Sequence, residues 1–401
     1  MGQYANVSKM IQEGMPSWQH VEELGLSGLR IKPGIAKWLH TVDGHAFINM
    51  VSCSYLALNR HPKIVEGAIN ALRDEGTVTI SVSRTRIAPK LLDAVEDKMS
   101  YLFGAKAMVA LSCSVASAGT LPILASGHFT NGIKPHIVFD KNAHFSMNVM
   151  KASCADETTV ETCRHNDIEY IEKLCKDKEC VAYVTDAVFS MGGHAPISEL
   201  QRLQDKYGLF LYLDDSHSIS IFGKNGVGLA RSSYGSNLRP RTIIVASLAK
   251  AFGATGGLIL FGDQYQYKLL SCLGGPLNWS QMVNPAGLGA IDASADIHFT
   301  DEIEGLKKKL YSNLEIIDRL ISTENTHSNL PIRVINIGDK EKAIRISAYM
   351  FRHGYYCSPV FFPIVAQGKA GLRAMCRSDL TLEELENFSK TLNMALKEEN
   401  V

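Results

Sequence analysis

The chain has 401 residues, of which 46% are hydrophobic and 20% are charged, which is the composition of a soluble globular protein with a full core. Lys plus Arg and Asp plus Glu both number 41, so the balanced charge indicates neither nucleic acid nor an anionic membrane as a partner. No apolar run reaches the roughly 18–20 residues of a membrane span, and Met1–Met15 lacks the apolar centre of a signal peptide. We therefore expect a cytoplasmic protein.

The nine cysteines are an odd number and include no Cys-x-x-Cys pair. This spacing argues against a disulfide framework and against a cysteine metal site. Reduced thiols and no bound metal are expected.

The first 50 residues are predicted to form a helix and a short pair of strands. From about residue 105 to residue 262, short apolar runs alternate with helical patterns such as Ile168–Lys176 and Ile197–Tyr207. This alternation is typical of a mostly parallel sheet in a three-layer α/β/α domain. The candidate strands are Ala107–Leu111, His136–Asp140, Cys180–Thr185, Leu209–Asp214, Thr242–Ala246 and Gly257–Phe261.

After Pro285 the pattern changes to longer helices. Two helices are predicted at Ala286–Phe299 and Asp301–Thr323, the second with apolar residues at helical spacing. Strands at Ile332–Ile337 and Gly371–Met375 and a closing helix at Leu382–Leu396 indicate a smaller C-terminal α/β domain. The predicted organisation is an N-terminal segment (1–50), a large domain (51–290) and a small C-terminal domain (291–401).

Lys250 lies in an apolar, glycine-containing stretch, SLAKAFG, just beyond the strand run that ends at Ser247. A lysine that acts as a nucleophile must be neutral, and burial of this kind lowers an amine's pKa. A solvated loop lysine is the alternative. It is weakened because, apart from Lys250, no charged residue lies between Arg241 and Asp263.

Asp214, Asp215 and His217 come directly after another hydrophobic strand, in the sequence LYLDDSHS. A carboxylate at a strand end can keep a pyridine nitrogen protonated, and the protonated ring accepts electrons from a carbanion. A strand-terminating turn with a helix cap is the alternative. The Asp-Asp-x-His pattern, followed by Lys250 after one more helix and strand, favours a site that binds pyridoxal 5'-phosphate (PLP).

The combined pattern resembles the α-oxoamine synthases, which are PLP enzymes of fold type I. These enzymes join an amino acid to an acyl thioester with loss of carbon dioxide. The resemblance covers about residues 30–395, and its segments occur in the family's order and spacing. They are SYLALNRHPKIVEGAINAL (Ser54–Leu72), Asn142-Ala143-His144, VTDAVFSMGG (Val184–Gly193), DDSHS with FGKNGVG (Phe222–Gly228), and SLAKAFG.

The resemblance implies a role for each residue of the central motifs. Lys250 would hold PLP covalently as a Schiff base and later remove the Cα proton of the substrate. Asp214 would pair with the pyridine nitrogen, and His217 would hydrogen-bond the ring hydroxyl. His144 would stack on the face of the ring. The large domain would thus be the cofactor-binding domain.

The resemblance also implies contacts at the edges of the site. Asp186 and Ser190 match residues near the polar edge of the cofactor, although the family has Glu where this chain has Asp186. Ser247 and Ser280 match hydroxyl groups that contact the phosphate, and Ser280 would come from the neighbouring subunit of a homodimer. Arg373 matches the arginine that holds a substrate carboxylate.

Two segments depart from the family pattern. A glycine-rich segment is replaced by Thr77–Glu96, and the phosphate-binding turn, usually Ser-Gly-aromatic, reads Ser112-Cys113-Ser114. Backbone N–H groups and hydroxyls at a helix N-terminus could still hold the phosphate there, with Cys113 and Ser114 in the turn. The lost glycines imply a changed acyl pocket or cofactor edge. In lacking the glycine-rich segment, the chain also resembles the branch of the family that makes α-aminoketone signals.

The predicted function is therefore the decarboxylative condensation of an amino acid with an acyl thioester, on coenzyme A or an acyl carrier protein, to an α-aminoketone. An aminotransferase or a lyase of the same fold type is the alternative, because such enzymes share the lysine, the aspartate and the sheet. A non-catalytic scaffold subunit would have no need of Lys250. A PLP-binding transcription regulator would need a DNA-binding domain, for which residues 1–50 are too short and too uncharged.

Overall fold

The computed structural model describes residue 4, residues 6–34 and residues 37–401. The chain divides into two compact units. The larger unit is Leu56–Gly305, and the smaller unit combines Met1–Tyr55 with Leu306–Val401. The domain boundaries expected from the sequence, after residues 50 and 290, stay predictions.

The elements are numbered in chain order within the described residues. The helices α1 to α15 are Val7–Glu23, Pro62–Glu75, Lys90–Phe103, Cys113–Ala125, Phe145–Asn148, Lys151–Ala155, Ile168–Asp177, Ile197–Tyr207, Leu229–Ser232, Gln264–Leu273, Pro276–Trp279, Pro285–His298, Asp301–Leu320, Lys340–Arg352 and Leu382–Glu398. The strands β1 to β13 are Trp38–His40, Ala46–Asn49, Lys106–Ala110, His136–Asp140, Val160–Cys163, Val181–Asp186, Phe210–Asp214, Thr242–Ser247, Gly257–Phe261, Ile332–Gly338, Tyr355–Tyr356, Ser358–Val360 and Ala370–Met375.

The larger unit is built on a sheet with the strand order β3-β9-β8-β7-β6-β4-β5. Strand β9 runs antiparallel to both of its neighbours, and the other neighbouring pairs are parallel. Every residue of the central strands β6 and β7 is buried, as expected where helices cover both faces of a parallel sheet. The predicted α/β class, with the mostly parallel central sheet of fold type I, is confirmed.

The predicted strands of this sheet agree with the structure to within one residue at each end. Strand β5, Val160–Cys163, was not predicted from the sequence. It is an edge strand, because it pairs only with β4. Two of its four residues, Glu161 and Thr162, are not buried, so it lacks the continuous apolar run that marked the interior strands.

Helices α2 and α12 of the larger unit cross at a pair of glycines. A Cβ atom added to Gly67 would lie 2.7 Å from the carbonyl oxygen of Gly289, and one added to Gly289 would lie 2.2 Å from that of Gly67. Since any side chain at either position would collide with backbone, both positions require glycine at this separation.

The smaller unit contains two three-stranded sheets, with the orders β1-β2-β11 and β10-β13-β12. Strand β13 lies between β10 and β12 and is antiparallel to both. Helices α1 and α14 enclose a core that includes Val21, Leu26, Ile344 and Phe361. Throughout the described residues of the chain, no helix combines the length and the apolar character that crossing a membrane would require.

Candidate active site

The carboxyl ends of the parallel strands place most of the predicted site residues at one edge of the sheet. Because β3, β4, β6, β7 and β8 all run in one direction, the segments that follow them begin at the same edge. Asp186 and Asp214 are register partners on neighbouring strands. Ser247 is the last residue of β8. The predicted site residues that follow these strands are Cys113, Ser114, His144, Ser190, His217 and Lys250.

Lys250 lies in a tight turn after β8 and contacts His217. Its Nζ atom is 2.9 Å from Nε2 of His217. The N–H of Gly253 donates to the Lys250 carbonyl at 3.0 Å, and the adjacent residues Ala251 and Phe252 are fully buried, which fixes the turn. The amine of Lys250 and the imidazole of His217 are therefore within hydrogen-bonding distance of each other.

Asp214, at the end of β7, is held by hydrogen bonds in a buried position. The backbone N–H of Ser216 donates to Oδ1 at 2.9 Å, and the thiol of Cys113 donates to Oδ2 at 3.4 Å. The Ser216 hydroxyl accepts from the backbone N–H of Ser247 at 2.8 Å and so connects this group to β8. Burial, and then the charge of Asp214, raise the pKa of the Cys113 thiol well above its ordinary value. Cys113 therefore stays protonated and acts as a donor.

Asp186, at the end of β6, fixes the backbone at His144. Its Oδ2 atom accepts the backbone N–H of His144 at 2.8 Å. Burial, and then the charge of Asp214, raise the pKa of Asp186 well above its ordinary value. The edge of the sheet therefore holds two buried carboxyl groups, Asp186 and Asp214, whose negative charges would repel each other. A cationic group placed beside them would be stabilised.

The ring of His144 is exposed at the N-cap of the short helix α5. Its Nδ1 atom accepts the backbone N–H of Ser146 at 3.2 Å. A neutral His144 therefore carries its proton on Nε2. The cap fixes the orientation of an imidazole that faces away from the core.

Asp215 has a structural role that the sequence did not predict. Its fully buried side chain accepts the backbone N–H of Ala230 at 3.0 Å and the hydroxyl of Ser218. At Gly228, which has a φ of +94°, a Cβ atom would lie 2.3 Å from Oδ2 of Asp215. Asp215 therefore holds the segment Phe222–Gly228 against the sheet. The signal in the sequence was the Asp-Asp pair followed closely by glycines.

Burial of Asp215 has a consequence for the pH dependence of stability. Burial raises the pKa of this carboxyl to about 7. In the unfolded chain it ionises near its ordinary value, so the stability that it contributes is lost as pH rises through about 7. Asp215→Asn should therefore be most destabilising, relative to the wild type, near pH 5, with a smaller deficit near pH 8. Urea unfolding of both proteins at the two pH values checks this, and a deficit that grows with pH would contradict it.

Three of the predicted serines are exposed or half-buried. They are Ser114, Ser190 and Ser280. Ser114 is exposed on the first turn of α4, and Ser190 is half-buried in the turn after β6. Ser280 is exposed just after α11, and its hydroxyl donates to the carbonyl oxygen of Pro276 at 2.6 Å. The phosphate and cofactor contacts predicted for these three hydroxyls stay predictions.

Arg373 belongs to β13 of the smaller unit. One of its terminal nitrogens, Nη2, is 3.7 Å from the sulfur of Cys53. Within the described part of the chain, its buried Nε–H has no hydrogen-bond partner. A buried donor without an acceptor costs stability, so a ligand that supplies an oxygen would be favoured there. The planar guanidinium suits a carboxylate, which it can bind through two parallel hydrogen bonds.

The segment that replaces the family's glycine-rich stretch is anchored by a buried ion pair. Arg84 donates to both oxygens of Glu96 at 2.9 Å, and Glu96 also accepts the backbone N–H of Val109 and the hydroxyl of Tyr267. The anchored segment exposes aliphatic side chains to solvent. They are Val78, Ile80, Val82 and Ile87.

The residues at the sheet edge fit the chemical groups of PLP. Helix α4 begins at Cys113 directly after β3, and backbone N–H groups at such a helix start favour a phosphate. The buried carboxylate of Asp214 suits a protonated pyridine nitrogen. The amine of Lys250 suits the aldehyde. Groups that suit the phosphate, the pyridine nitrogen and the aldehyde of PLP therefore lie at the same edge of the sheet.

The comparisons with known proteins agree with this fit. A family model described as aminotransferase class I and II matches residues 46–392. The chain is 29% identical to an 8-amino-7-oxononanoate synthase of Bacillus velezensis over 369 residues, which are 89% of this chain and 90% of the relative. It is 28% identical to the enzyme of that name from Thermoanaerobacter pseudethanolicus, over 90% of each chain.

The fold is shared with solved structures of serine palmitoyltransferases. The enzyme from S. paucimobilis, in a structure with bound PLP and myriocin, has a TM-score of 0.83 at 18% identity over 98% of this chain and 99% of that chain. The enzyme from Sphingomonas wittichii has a TM-score of 0.82 at 19% identity over the same shares. The family match over most of the chain shows that the chain belongs to the aminotransferase class I and II family.

Proposed function

We propose that this protein is a PLP-dependent acyltransferase that condenses an amino acid with an acyl thioester and releases carbon dioxide and the free thiol. The product is an α-aminoketone. The observation that carries the proposal is the contact between Lys250 Nζ and His217 Nε2 at the edge where Asp214 is buried. The contact supports the proposal because Lys250 would be the nucleophile, His217 would bind the ring, and Asp214 would supply the counter-charge.

PLP, when bound, supplies an electron sink for the negative charge that develops at Cα of the amino acid. Lys250 would hold the cofactor through its Nζ atom and then accept the Cα proton at that same atom. His217 faces Nζ at 2.9 Å and is the group in contact that can exchange a proton with it. A positioned base of this kind contributes about 10²–10⁴-fold in rate.

Asp214 would keep the pyridine nitrogen protonated by its charge. The donors from Ser216 and Cys113 orient the Asp214 carboxylate, and burial shields it from water. His144, with a proton on Nε2 when neutral, would cover one face of the ring. Asp186 would hold the His144 backbone in place.

We propose that the phosphate lies at the start of α4, near Cys113 and Ser114. Ser247 and Ser280 would add hydroxyl contacts, and Ser190 would lie near the polar edge of the ring. Thr77–Glu96 would contribute to an acyl pocket. The exposed aliphatic side chains of that segment support an apolar acyl group, because their burial by an acyl chain is favourable at about 25 cal/mol per Å².

The proposed reaction is tested by its requirement for two substrates. The purified protein with PLP is mixed with each of the twenty amino acids, with and without acyl-coenzyme A thioesters of short and long chain. Release of free thiol and of carbon dioxide in equal amounts, only when both substrates are present, is expected. Turnover with a 2-oxo acid and no thioester would instead identify an aminotransferase, and turnover of an amino acid alone would identify a lyase. An acyl carrier protein thioester replaces coenzyme A in a parallel series.

Arg373 is proposed to bind the carboxylate of the amino acid. Arg373→Lys keeps the charge but loses the planar fork, so the amino acid KM is expected to rise about tenfold or more, with a smaller change in kcat. Steady-state kinetics over a range of amino acid concentrations check this. Arg345→Lys is the matched control, because Arg345 forms a two-point ion pair with Glu399 in the same unit. An unchanged KM for Arg373→Lys would contradict the role.

We further propose that the enzyme is a cytoplasmic homodimer whose active site is completed by the partner's Ser280. The free cysteines support a reducing compartment, and the exposed side chains of Trp279 and Ser280 support a contact at this surface. Light scattering should give twice the chain mass. Mixed dimers of Lys250→Ala and Ser280→Ala chains should regain activity, because one of their two sites contains both native residues. A monomer, or mixed dimers without regained activity, would contradict the shared site.

A further inference from the structure

Asp140 is a buried acid to which the proposed mechanism gives no part. It is the last residue of β4, and its side chain is fully buried. Oδ1 accepts from Nδ1 of His165 at 3.0 Å, and Oδ2 accepts from the hydroxyl of Tyr183 at 2.7 Å and from the backbone N–H of Asn166 at 2.8 Å. The partners that this buried carboxylate needs therefore come from the segment after β5 and from β6.

The same carboxylate shapes the turn that leads to His144. Oδ1 of Asp140 accepts the backbone N–H of Asn142 at 2.7 Å, and the Asp140 carbonyl accepts that of Ala143 at 3.0 Å. The next backbone N–H, that of His144, donates to Asp186. Three successive N–H groups of this turn are therefore fixed by two acids at adjacent strand ends.

His165 connects this turn to the segment after β6. Its ring meets the ring of Phe189 edge to face, with the centroids 4.4 Å apart. The neighbouring Asn166 adopts a left-handed conformation with a φ of 54°, and its side-chain amide donates to the carbonyl oxygen of His194 at 3.2 Å. His165 and Asn166 thereby hold two loops of the active-site edge together.

The hydrogen bonds keep Asp140 charged despite its burial. Burial raises the pKa of this carboxyl, but the hydrogen bonds from His165, Asn166, Asn142 and Tyr183 together lower it below its ordinary value. An ionised acceptor makes a stronger hydrogen bond to a backbone N–H than a neutral one. The turn before His144 is therefore held by a charged group that depends on its donors.

We propose that His165 and Asp140 are positioning residues that fix the turn presenting the His144 ring to the cofactor. The inference rests on the proposed function, since it assigns the His144 ring to that cofactor. His165 acts through Asp140 and the turn, not on the reacting atoms. Replacing His165 removes one donor from Asp140 and loosens the turn while the fold remains.

The test compares three variants of the full-length protein. His165→Ala removes the Nδ1 donor, and His165→Asn replaces it, because the asparagine amide nitrogen reaches the same position. His136→Ala is the matched control. His136 is the first residue of β4, the strand that ends at Asp140. Its Nε2 atom contacts the carboxylate of Glu161 at 2.9 Å.

The first readout is hydrogen exchange of the backbone amides of residues 142–144 in the protein without cofactor. We expect about tenfold faster exchange in His165→Ala, recovery in His165→Asn and no change in His136→Ala. The second readout is binding of PLP, for which we expect an affinity about tenfold weaker in His165→Ala alone. The inference is overturned if His165→Ala exchanges like the wild type, if His165→Asn fails to recover, or if His136→Ala behaves like His165→Ala.

The two readouts separate this inference from the proposed function. A wild-type protein that binds no PLP would contradict the proposed function. Normal exchange in His165→Ala would contradict the positioning role whether or not PLP binds. Faster exchange in His165→Ala with unchanged PLP affinity would also overturn the inference, because the turn would then not present His144 to the cofactor.

Discussion

Lys250→Ala is expected to abolish covalent attachment of PLP and to lower kcat by at least about 10²–10⁴-fold. The reason is that one amine is assigned both tasks, holding the cofactor and accepting the Cα proton. Borohydride reduction of the wild-type holoenzyme, followed by peptide mass spectrometry, should find the cofactor's mass on the peptide that contains Lys250. The reduced variant should carry no such modification.

Lys151 provides a control for reactivity that follows from burial alone. Burial lowers the pKa of Lys151, and its Nζ atom lies 5.1 Å from the centroid of the Phe139 ring. Lys151 is therefore another partly buried amine in the larger unit, and it contacts an aromatic ring where Lys250 contacts His217. Lys151→Ala should keep the covalent cofactor and the wild-type kcat within about twofold. Cofactor attached at Lys151 would contradict the assignment of Lys250.

The sequence could predict the parts of the site that are encoded by continuous segments. The interior strands were recognisable because burial on both faces requires long apolar runs, and polar residues at the ends of such runs stand out. This reasoning predicts Lys250, Asp214 and His217 as candidate site residues. The edge strand Val160–Cys163 was missed because its exposed positions carry polar residues and interrupt the run.

The contacts that orient the site could not be predicted because they join distant segments. Cys113 and Asp214 are 101 residues apart, and the thiol of one donates to the carboxylate of the other. His165 and Asp140 are 25 residues apart on segments that meet only because β4 and β5 pair in parallel. A histidine or a cysteine in the sequence carries no sign of such a partner. The positions of these side chains follow from the strand order, which the apolar pattern leaves open.

Asp214→Asn is expected to lower kcat by roughly 10- to 1000-fold. Asparagine has nearly the same shape and can still accept the backbone N–H of Ser216, so the turn should remain. Its amide is neutral, however, and removal of an opposite charge at this range lowers a neighbouring cation's pKa by about 1–3 units. The pyridine nitrogen would then be mostly unprotonated, and the developing charge at Cα would lose its electron sink. The Cys113 thiol cannot compensate, because its raised pKa keeps it neutral.

Asp215→Asn distinguishes loss of this charge from loss of any buried carboxylate. The two aspartates are adjacent in the sequence and are both buried, but Asp215 binds Ala230 and Ser218 where Asp214 faces Cys113 and Ser216. We expect Asp215→Asn to lower the free energy of unfolding near pH 5 while kcat changes by less than about threefold. Asp214→Asn should instead lower kcat while the free energy of unfolding changes little. When kcat is measured from about pH 6 to pH 9, the loss should be largest at high pH. Equal losses of kcat in the two variants would contradict a specific effect of the Asp214 charge on the ring nitrogen.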